Sequence, residues 1–179
     1  GGEIVSCDSV QVYRDFVIGC AKPSSDERRR VRHHLLDVVD WSETFDAARY
    51  ASMARQALAD IEARGAVPIV CGGTGLYLRA LRWGLVELPP PDLALRAALE
   101  ADERAQPGVL YERLTMLDRA TAQRTEPHNL VHIVRALEIV ALTGRPASVV
   151  RAAHGFREEV VPLEVVALRW PRELLRQRI

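Results

Sequence analysis

Apolar residues in this chain follow two periodicities. Four short runs, 3–7, 35–39, Val67–Cys71 and 164–168, are dense in Val, Ile and Leu, the pattern of strands buried on both faces. In the segment 46–64 the spacing changes. Tyr50, Ala54, Ala57, Leu58 and Ile61 recur at three and four, and Gly65 stands where a helix C-terminal glycine belongs. Strand, helix, strand in this order predicts a parallel α/β sheet with right-handed crossovers. Ligands are then expected beyond the carboxyl ends of its strands.

After Leu88 the pattern breaks. Pro89, Pro90 and Pro91 form a stiff extended stretch, and 89–128 then reads as short helices without a strand. Helical spacing covers 92–105, Val109–Leu117 and 129–143. The expected organisation is an α/β core over 1–88, a helical insertion over 89–128, and a return to the core over 129–179. The chain opens without Met on a strand and closes inside the helical stretch 171–179, which carries Pro171 at its first turn. Both ends therefore read as cut, with further chain expected on either side.

Charge narrows the partners. Lys plus Arg equals Asp plus Glu at 24 each, so no bulk field advertises a polyanion and any RNA contact must come from local patches. Lys22 is the single lysine among those basic residues. Cys7, Cys20 and Cys71 are odd in number, lie in apolar surroundings and lack paired metal-ligand spacing, which reads as reduced, buried, cytosolic thiols. No window approaches the roughly 18 apolar residues of a membrane span, and no basic-then-apolar leader opens the chain. A cytoplasmic protein with no membrane partner is expected.

Candidate chemistry gathers where strands end. Asp8, Ser9, Val10, Gln11, Val12, Tyr13 and Arg14 follow the first run, placing a carboxylate, a hydroxyl, an amide and a guanidinium beside a ligand crevice. Asp8 and Ser9 are equally the residues that cap a turn. Cys71-Gly72-Gly73-Thr74-Gly75 follows the third run and opens a helix. There glycines let backbone N–H groups approach an anion, although many α/β proteins simply turn tightly at this point. Lys22 suits a phosphate or a solvated loop. The basic run from Arg28 to His34 suits RNA phosphates or a solvated face. On 129–143, Ile133, Val134, Leu137 and Val140 form a burial stripe, while His132, Arg135 and Glu138 share another face at three-residue spacing. That face suits a polyanion or an ordinary helix surface carrying an internal Arg-Glu pair. Arg96 is undecided by its chemistry alone.

In order along the chain stand Asp8-Ser9-x-Gln11-Val12-Tyr13-Arg14, Ile18-Gly19-x-Ala21-Lys22-Pro23, His33-His34-Leu35-x-Asp37 and Gly72-Gly73-Thr74-Gly75-Leu76-Tyr77. They are followed by Ile133-Val134-Arg135-Ala136-Leu137-Glu138 with Thr143-Gly144-Arg145-Pro146. In content, order and separation this set resembles the tRNA dimethylallyltransferase family, across nearly the whole chain. The resemblance implies a P-loop NTPase-like parallel sheet with a helical insertion over 89–128 that contacts tRNA, here truncated at both ends. It implies transfer of a dimethylallyl group from dimethylallyl diphosphate, with Mg2+, to the exocyclic amine of the adenine 3′ of the anticodon. It implies catalytic roles for Asp8 and Thr74, and contact with tRNA by Asp8, Ser9, Val10, Gln11, Thr74, Arg96, Val131, His132 and Arg135. Diphosphate is expected at Lys22 and Gly73, with no protein metal ligand assigned and no stable protein partner implied. The chemistry suits such roles: an adenine amine is a weak nucleophile whose proton a nearby carboxylate must accept, and departing diphosphate needs positive groups and backbone donors already in place.

Two departures from the family pattern carry expectations. The glycine-rich loop ending in Gly-Lys-Ser or Gly-Lys-Thr normally lies just before the point where this chain begins, so the 179 residues alone are expected to be inactive. His132 stands where the family usually carries Arg, which predicts a weaker or pH-dependent grip on RNA. Three other readings compete: an adenylate isopentenyltransferase, against which the long 89–128 segment argues; a small-molecule kinase, which neither the Asp-Ser-x-Gln nor the His-His-Leu motif requires; and a fragment that binds tRNA without transfer.

Overall fold

The computed structural model describes residues 1–86, 88–156 and 158–178. In chain order its elements are β1 (Gly2–Ser6), α1 (Ser25–Arg30), β2 (His33–His34), α2 (Ala47–Ala63), β3 (Val67–Cys71), α3 (Gly75–Trp83), α4 (Leu93–Ala105), α5 (Val109–Leu117), α6 (Arg119–Ala122), α7 (Leu130–Thr143), α8 (Ala147–His154) and α9 (Arg172–Arg178). They form two compact units, Gly1–Gly84 with Glu158–Ile179, and Leu85–Arg157.

The first unit is built on a parallel sheet of order β2-β1-β3. The expected run at 67–71 is β3, and the run at 3–7 is β1 shifted by one residue. Helix α2 joins β2 to β3 and packs on β1, β3 and α3. Asp46 caps it by accepting Arg49 N–H at 2.8 Å, and Gly65 ends it at φ 70°, a conformation cheap for glycine alone. Its inward stripe, Tyr50, Ala54, Ala57, Leu58 and Ile61, is buried as the periodicity predicts.

Two expected strands differ. The run 35–39 supplies only an isolated bridge, Tyr13 to Val39, and β2 lies just before it at His33–His34. Leu35 and Asp37 adopt φ of 60° and 57°, which breaks a pleated ladder. The run 164–168 forms no strand among the described residues; Val165, Val166 and Leu168 are exposed, without a strand beside them to hydrogen-bond. Burial on both faces also fails for β3, where Val67, Ile69 and Cys71 are exposed, so that of the three cysteines expected to be buried only Cys7 and Cys20 are. The expected helix at the end is α9, with Ile179 outside the described residues.

The second unit is helical. Its core joins Leu99 of α4, Leu110 and Leu114 of α5, Ile133, Leu137 and Ile139 of α7, and Val150 of α8. Helix α7 therefore belongs to this unit, although a return to the α/β core was expected from residue 129. The stripe of Ile133, Val134 and Leu137 packs on α4 and α5, and the chain rejoins the first unit only at Glu158. There Val160 N–H donates to Arg82 O at 2.7 Å and Arg82 Nε donates to Glu159 at 2.7 Å. Among the described residues no helix is long and apolar enough to cross a membrane.

Candidate functional site

Two strand ends meet in the first unit. The last residues of β1 and β3 are in register, and Cys7 N–H donates to Cys71 O at 2.8 Å. The chain then turns so that Thr74 N–H donates back to Cys7 O at 3.1 Å. Gly72 makes this possible: a Cβ there would lie 2.3 Å from Cys7 O, so the close approach excludes any side chain. Gly73 faces open space, since a Cβ on it would meet no atom within 4 Å.

Across this junction Ser9 N–H donates to Thr74 Oγ1 at 2.9 Å, and the two hydroxyls lie 3.3 Å apart. Asp8 holds the turn between them. Its Oδ1 accepts Val10 N–H at 2.8 Å and Gln11 N–H at 3.1 Å, which is the capping role. Its other carboxylate oxygen accepts no hydrogen bond among the described residues. Asp8 thus combines a fixed oxygen with a free one. Val10 is exposed beside it. Asp8, Ser9, Val10, Gly73 and Thr74, expected from separate motifs, lie at one place.

Other expected residues are turned elsewhere. Gln11 spends its amide internally: Oε1 accepts the Ser6 hydroxyl at 2.9 Å, and Nε2 donates to Cys20 O and Ala21 O at 3.1 and 3.0 Å. Lys22, expected at a diphosphate, donates to Tyr13 O, to Arg14 O at 3.3 Å and to Asp37 Oδ1 at 2.7 Å, with its side chain only 7% exposed. All three ammonium donors are used, so a phosphate would have to displace Asp37. Arg28 reaches the second Asp37 oxygen at 2.7 Å. Burial would raise the Asp37 pKa, but Lys22 and Arg28 outweigh it and hold the carboxyl below its ordinary range.

The basic run is likewise largely paired. Glu3 on β1 receives Arg64 at 3.2 and 2.8 Å, lies 2.6 Å from His34 Nε2 and 3.9 Å from Arg32. Hydrogen bonds from Arg64 and then His34 lower its pKa to about 2. Arg29 pairs with Asp26, and His33 Nδ1 lies 2.8 Å from Val31 O.

In the helical unit, sequence reasoning missed Glu138. Its pair with Arg135 was legible from the spacing, but it was placed on an outer face and is fully buried. Arg96 donates to both its oxygens at 2.8 Å, Arg135 donates to it as well, and Asp92 N–H donates at 2.7 Å. Arg135 also donates to Pro89 O at 3.1 Å. Burial opposes ionisation of Glu138, but the two guanidiniums prevail and lower its pKa to about 2. Arg96 and Arg135, expected on tRNA, are thus held by a buried carboxylate, each still partly exposed at 32% and 25%. Val131 and His132 project from the start of α7 and are exposed.

Among the described residues no group of three or more His, Cys, Asp or Glu is placed to hold a metal ion.

Residues 11–179 match the family model described as IPP transferase. The chain is 53% identical to a tRNA dimethylallyltransferase of Anaeromyxobacter dehalogenans (strain 2CP-C), covering all of this chain and 60% of that protein. It is 48% identical to one from Geobacter metallireducens, covering all of this chain and 58% of the relative. The chain thus spans about 60% of the length of these relatives. Among solved structures, a tRNA delta(2)-isopentenylpyrophosphate transferase from Staphylococcus epidermidis matches with TM-score 0.56 and 30% identity, over 99% of this chain and 58% of that one. A eukaryotic dimethylallyltransferase acting on tRNA matches with TM-score 0.68 and 33% identity, over 91% of this chain and 40% of that one.

Proposed function

This chain belongs to the IPP transferase family, and from that membership we propose that it is the strand-end and helical portion of a tRNA dimethylallyltransferase. The reaction proposed is transfer of a dimethylallyl group from dimethylallyl diphosphate to the exocyclic amine of the adenine 3′ of the anticodon, giving isopentenyladenosine. The observation that supports it most is the junction of Asp8, Ser9 and Thr74 at the ends of β1 and β3, the crevice where an α/β sheet presents ligands.

Asp8 acts as the proton acceptor. Its Oδ1 is tied to the Val10 and Gln11 N–H groups, which leaves the second oxygen to accept a proton. As the nitrogen bonds to the dimethylallyl carbon, that oxygen takes the amine proton and diphosphate departs with the electrons of the broken C–O bond. Thr74 and Ser9 present hydroxyls from the turns that follow the neighbouring strands β3 and β1, and suit the edge of a base drawn out of its stack. Gly73 leaves backbone open to an anion at the start of α3. Gln11 and Lys22 support from behind: one ties the 20–21 loop to β1, the other ties it to Asp37. No residue is proposed as a magnesium ligand; the ion, when bound with the diphosphate, would supply positive charge for the departing group.

The test is a chimera in which these 179 residues replace the matching segment of the Anaeromyxobacter dehalogenans relative, assayed by nucleoside mass spectrometry of a tRNA substrate. Isopentenyladenosine at the expected adenine supports the reading; a folded chimera that binds tRNA and transfers nothing refutes it.

A further inference from the structure

Helix α3 begins without the support a helix start ordinarily has. Its first residue is Gly75, and glycine loses more chain entropy on entering a helix than any other residue. Thr74 stands at the N-cap, yet among the described residues its hydroxyl makes no capping bond to α3. That hydroxyl accepts Ser9 N–H at 2.9 Å instead, so a group suited to holding the helix is diverted to the crevice. What remains locally is backbone: Thr74 O accepts Tyr77 N–H at 3.0 Å and Leu78 N–H at 3.2 Å. Local signals alone would let this first turn fray.

An aromatic stack takes the place of the missing cap. Tyr77, in the first turn of α3, is only 5% exposed, and its ring lies on Tyr50 of α2 with centroids 4.3 Å apart and planes 12° from parallel. Phe45 meets the Tyr77 ring edge-on, at 6.2 Å and 69°. Such contacts fix ring positions as well as burying area. Tyr50 is wholly buried and its hydroxyl has no hydrogen-bond partner among the described residues, so the ring is what this position supplies. At the same turn the Cys7 thiol donates to Thr74 O at 3.8 Å. Burial pushes the pKa of that thiol up, which keeps it protonated and donating.

We propose that Tyr77 is a positioning residue for the transfer reaction: its stack against Tyr50 and Phe45 holds the first turn of α3, which frees the Thr74 hydroxyl to stand beside Ser9 and Asp8. The inference rests on the roles proposed above for Asp8 and Thr74, and Tyr77 acts through Thr74 rather than on the substrate. Loss of the stack lets the turn shift and breaks the Ser9 contact. A misplacement of about 1 Å is enough to slow a reaction on the order of a hundredfold. The rate suffers more than the affinity, because RNA binding rests chiefly on phosphate contacts remote from this turn.

The experiment compares Y77L, Y77F and Y50F with the unaltered sequence in two readouts. The first is amide hydrogen exchange in the 179-residue chain. Y77L is expected to speed exchange of the Ser9 and Thr74 amides at least about tenfold relative to the Ile4 amide, which donates to Arg32 O away from the junction. Y77F and Y50F keep the rings and the slow exchange. The second readout is transfer by the chimera well below its melting temperature. There Y77L lowers kcat about tenfold or more with KM for tRNA within about twofold, and Y77F restores the rate. Should Y77L not fold, F45L removes the edge contact alone and is expected to show both changes at about threefold. Uniformly faster exchange at Ser9, Thr74 and Ile4 with kcat unchanged marks a merely structural ring and overturns the proposal. A loss of kcat that Y77F shares also overturns it, since the hydroxyl would then carry the effect. Normal transfer by Y77L overturns this inference alone. An unaltered chimera that transfers nothing overturns the catalytic reading and this inference with it.

Discussion

Lys22 and Asp37 form a 2.7 Å ion pair that joins the Ala-Lys-Pro loop to the His-His-Leu-x-Asp loop, fifteen residues apart. The lysine is almost wholly enclosed, and the backbone of Asp37 sits at φ 57°, so the pair holds a turn that the local sequence would not adopt by itself. Two motifs that carry the family resemblance thus act on each other. Their role is to shape the wall behind Asp8 and Gln11, since Asp37 N–H donates to Gln11 O at 3.1 Å.

Replacing Asp37 by Asn should destabilise the chain by on the order of 2 kcal/mol, because the enclosed ammonium loses its counter-charge. Equilibrium urea unfolding reads this. The pair also gives a pH signature. The Asp37 carboxyl titrates below its ordinary value in the folded chain, so its contribution is present above about pH 4 and disappears as the pH falls through the folded value. The D37N variant should lose part of the acid sensitivity of the unaltered chain. An unchanged midpoint in D37N would show the pair to be energetically idle.

Glu138 to Gln is expected to cost on the order of 3 kcal/mol, since two half-buried guanidiniums remain around a fully buried neutral amide. The folded pKa of about 2 lies below the ordinary carboxylate value, so this stabilisation is complete above about pH 4.5 and is lost between there and pH 2. Thermal unfolding of E138Q and of the unaltered chain at pH 7 and pH 3 should differ strongly at the first and converge towards the second. Equal melting at pH 7 would contradict the clamp.

Gly72 to Ala should be among the most damaging small substitutions in the first unit. The added methyl would fall 2.3 Å from Cys7 O, and relief requires β1 and β3 to separate at the functional end. Ala at Gly73 meets nothing within 4 Å and should leave stability within about 0.5 kcal/mol of the original. Far-ultraviolet melts of the two variants check the contrast, and similar losses in both would overturn it.

Much of this was legible beforehand, and the misses share a cause. Helix α2 was announced by its apolar stripe and by Gly65 after it, both local signals. The strand at 67–71 was equally plain. The run 35–39 misled because composition reports burial, whereas the positive φ of Leu35 and Asp37 is imposed by partners such as Lys22 and Gln11 outside the run. The run 164–168 is apolar without a neighbouring strand to pair with. Glu138 looked like a surface residue because its burying partner Arg96 lies 42 positions earlier. At the strand ends, the structure places Asp8, Ser9, Gly73 and Thr74, which come from two separate motifs, near one another. Motif order did not reveal that Gln11 and Lys22 have no donors left for a ligand.

The role of Asp8 separates into two by substitution. Asn at this position keeps an oxygen to accept Val10 and Gln11 N–H and so preserves the turn; Ala loses both the turn and the acceptor. In the chimera, D8N is expected to retain the melting temperature and tRNA affinity while transfer falls by roughly 10²- to 10⁴-fold. D8A should lose about 1 kcal/mol of stability as well.

The most direct measurement is transfer by the D8N chimera beside the unaltered chimera, followed as isopentenyladenosine at the adenine 3′ of the anticodon under single-turnover conditions with saturating dimethylallyl diphosphate. The account predicts product from the unaltered protein and a rate lower by at least roughly a hundredfold in D8N, with RNA binding intact. Equal rates in the two proteins would contradict it, because the free oxygen of Asp8 would then have no part in removing the amine proton.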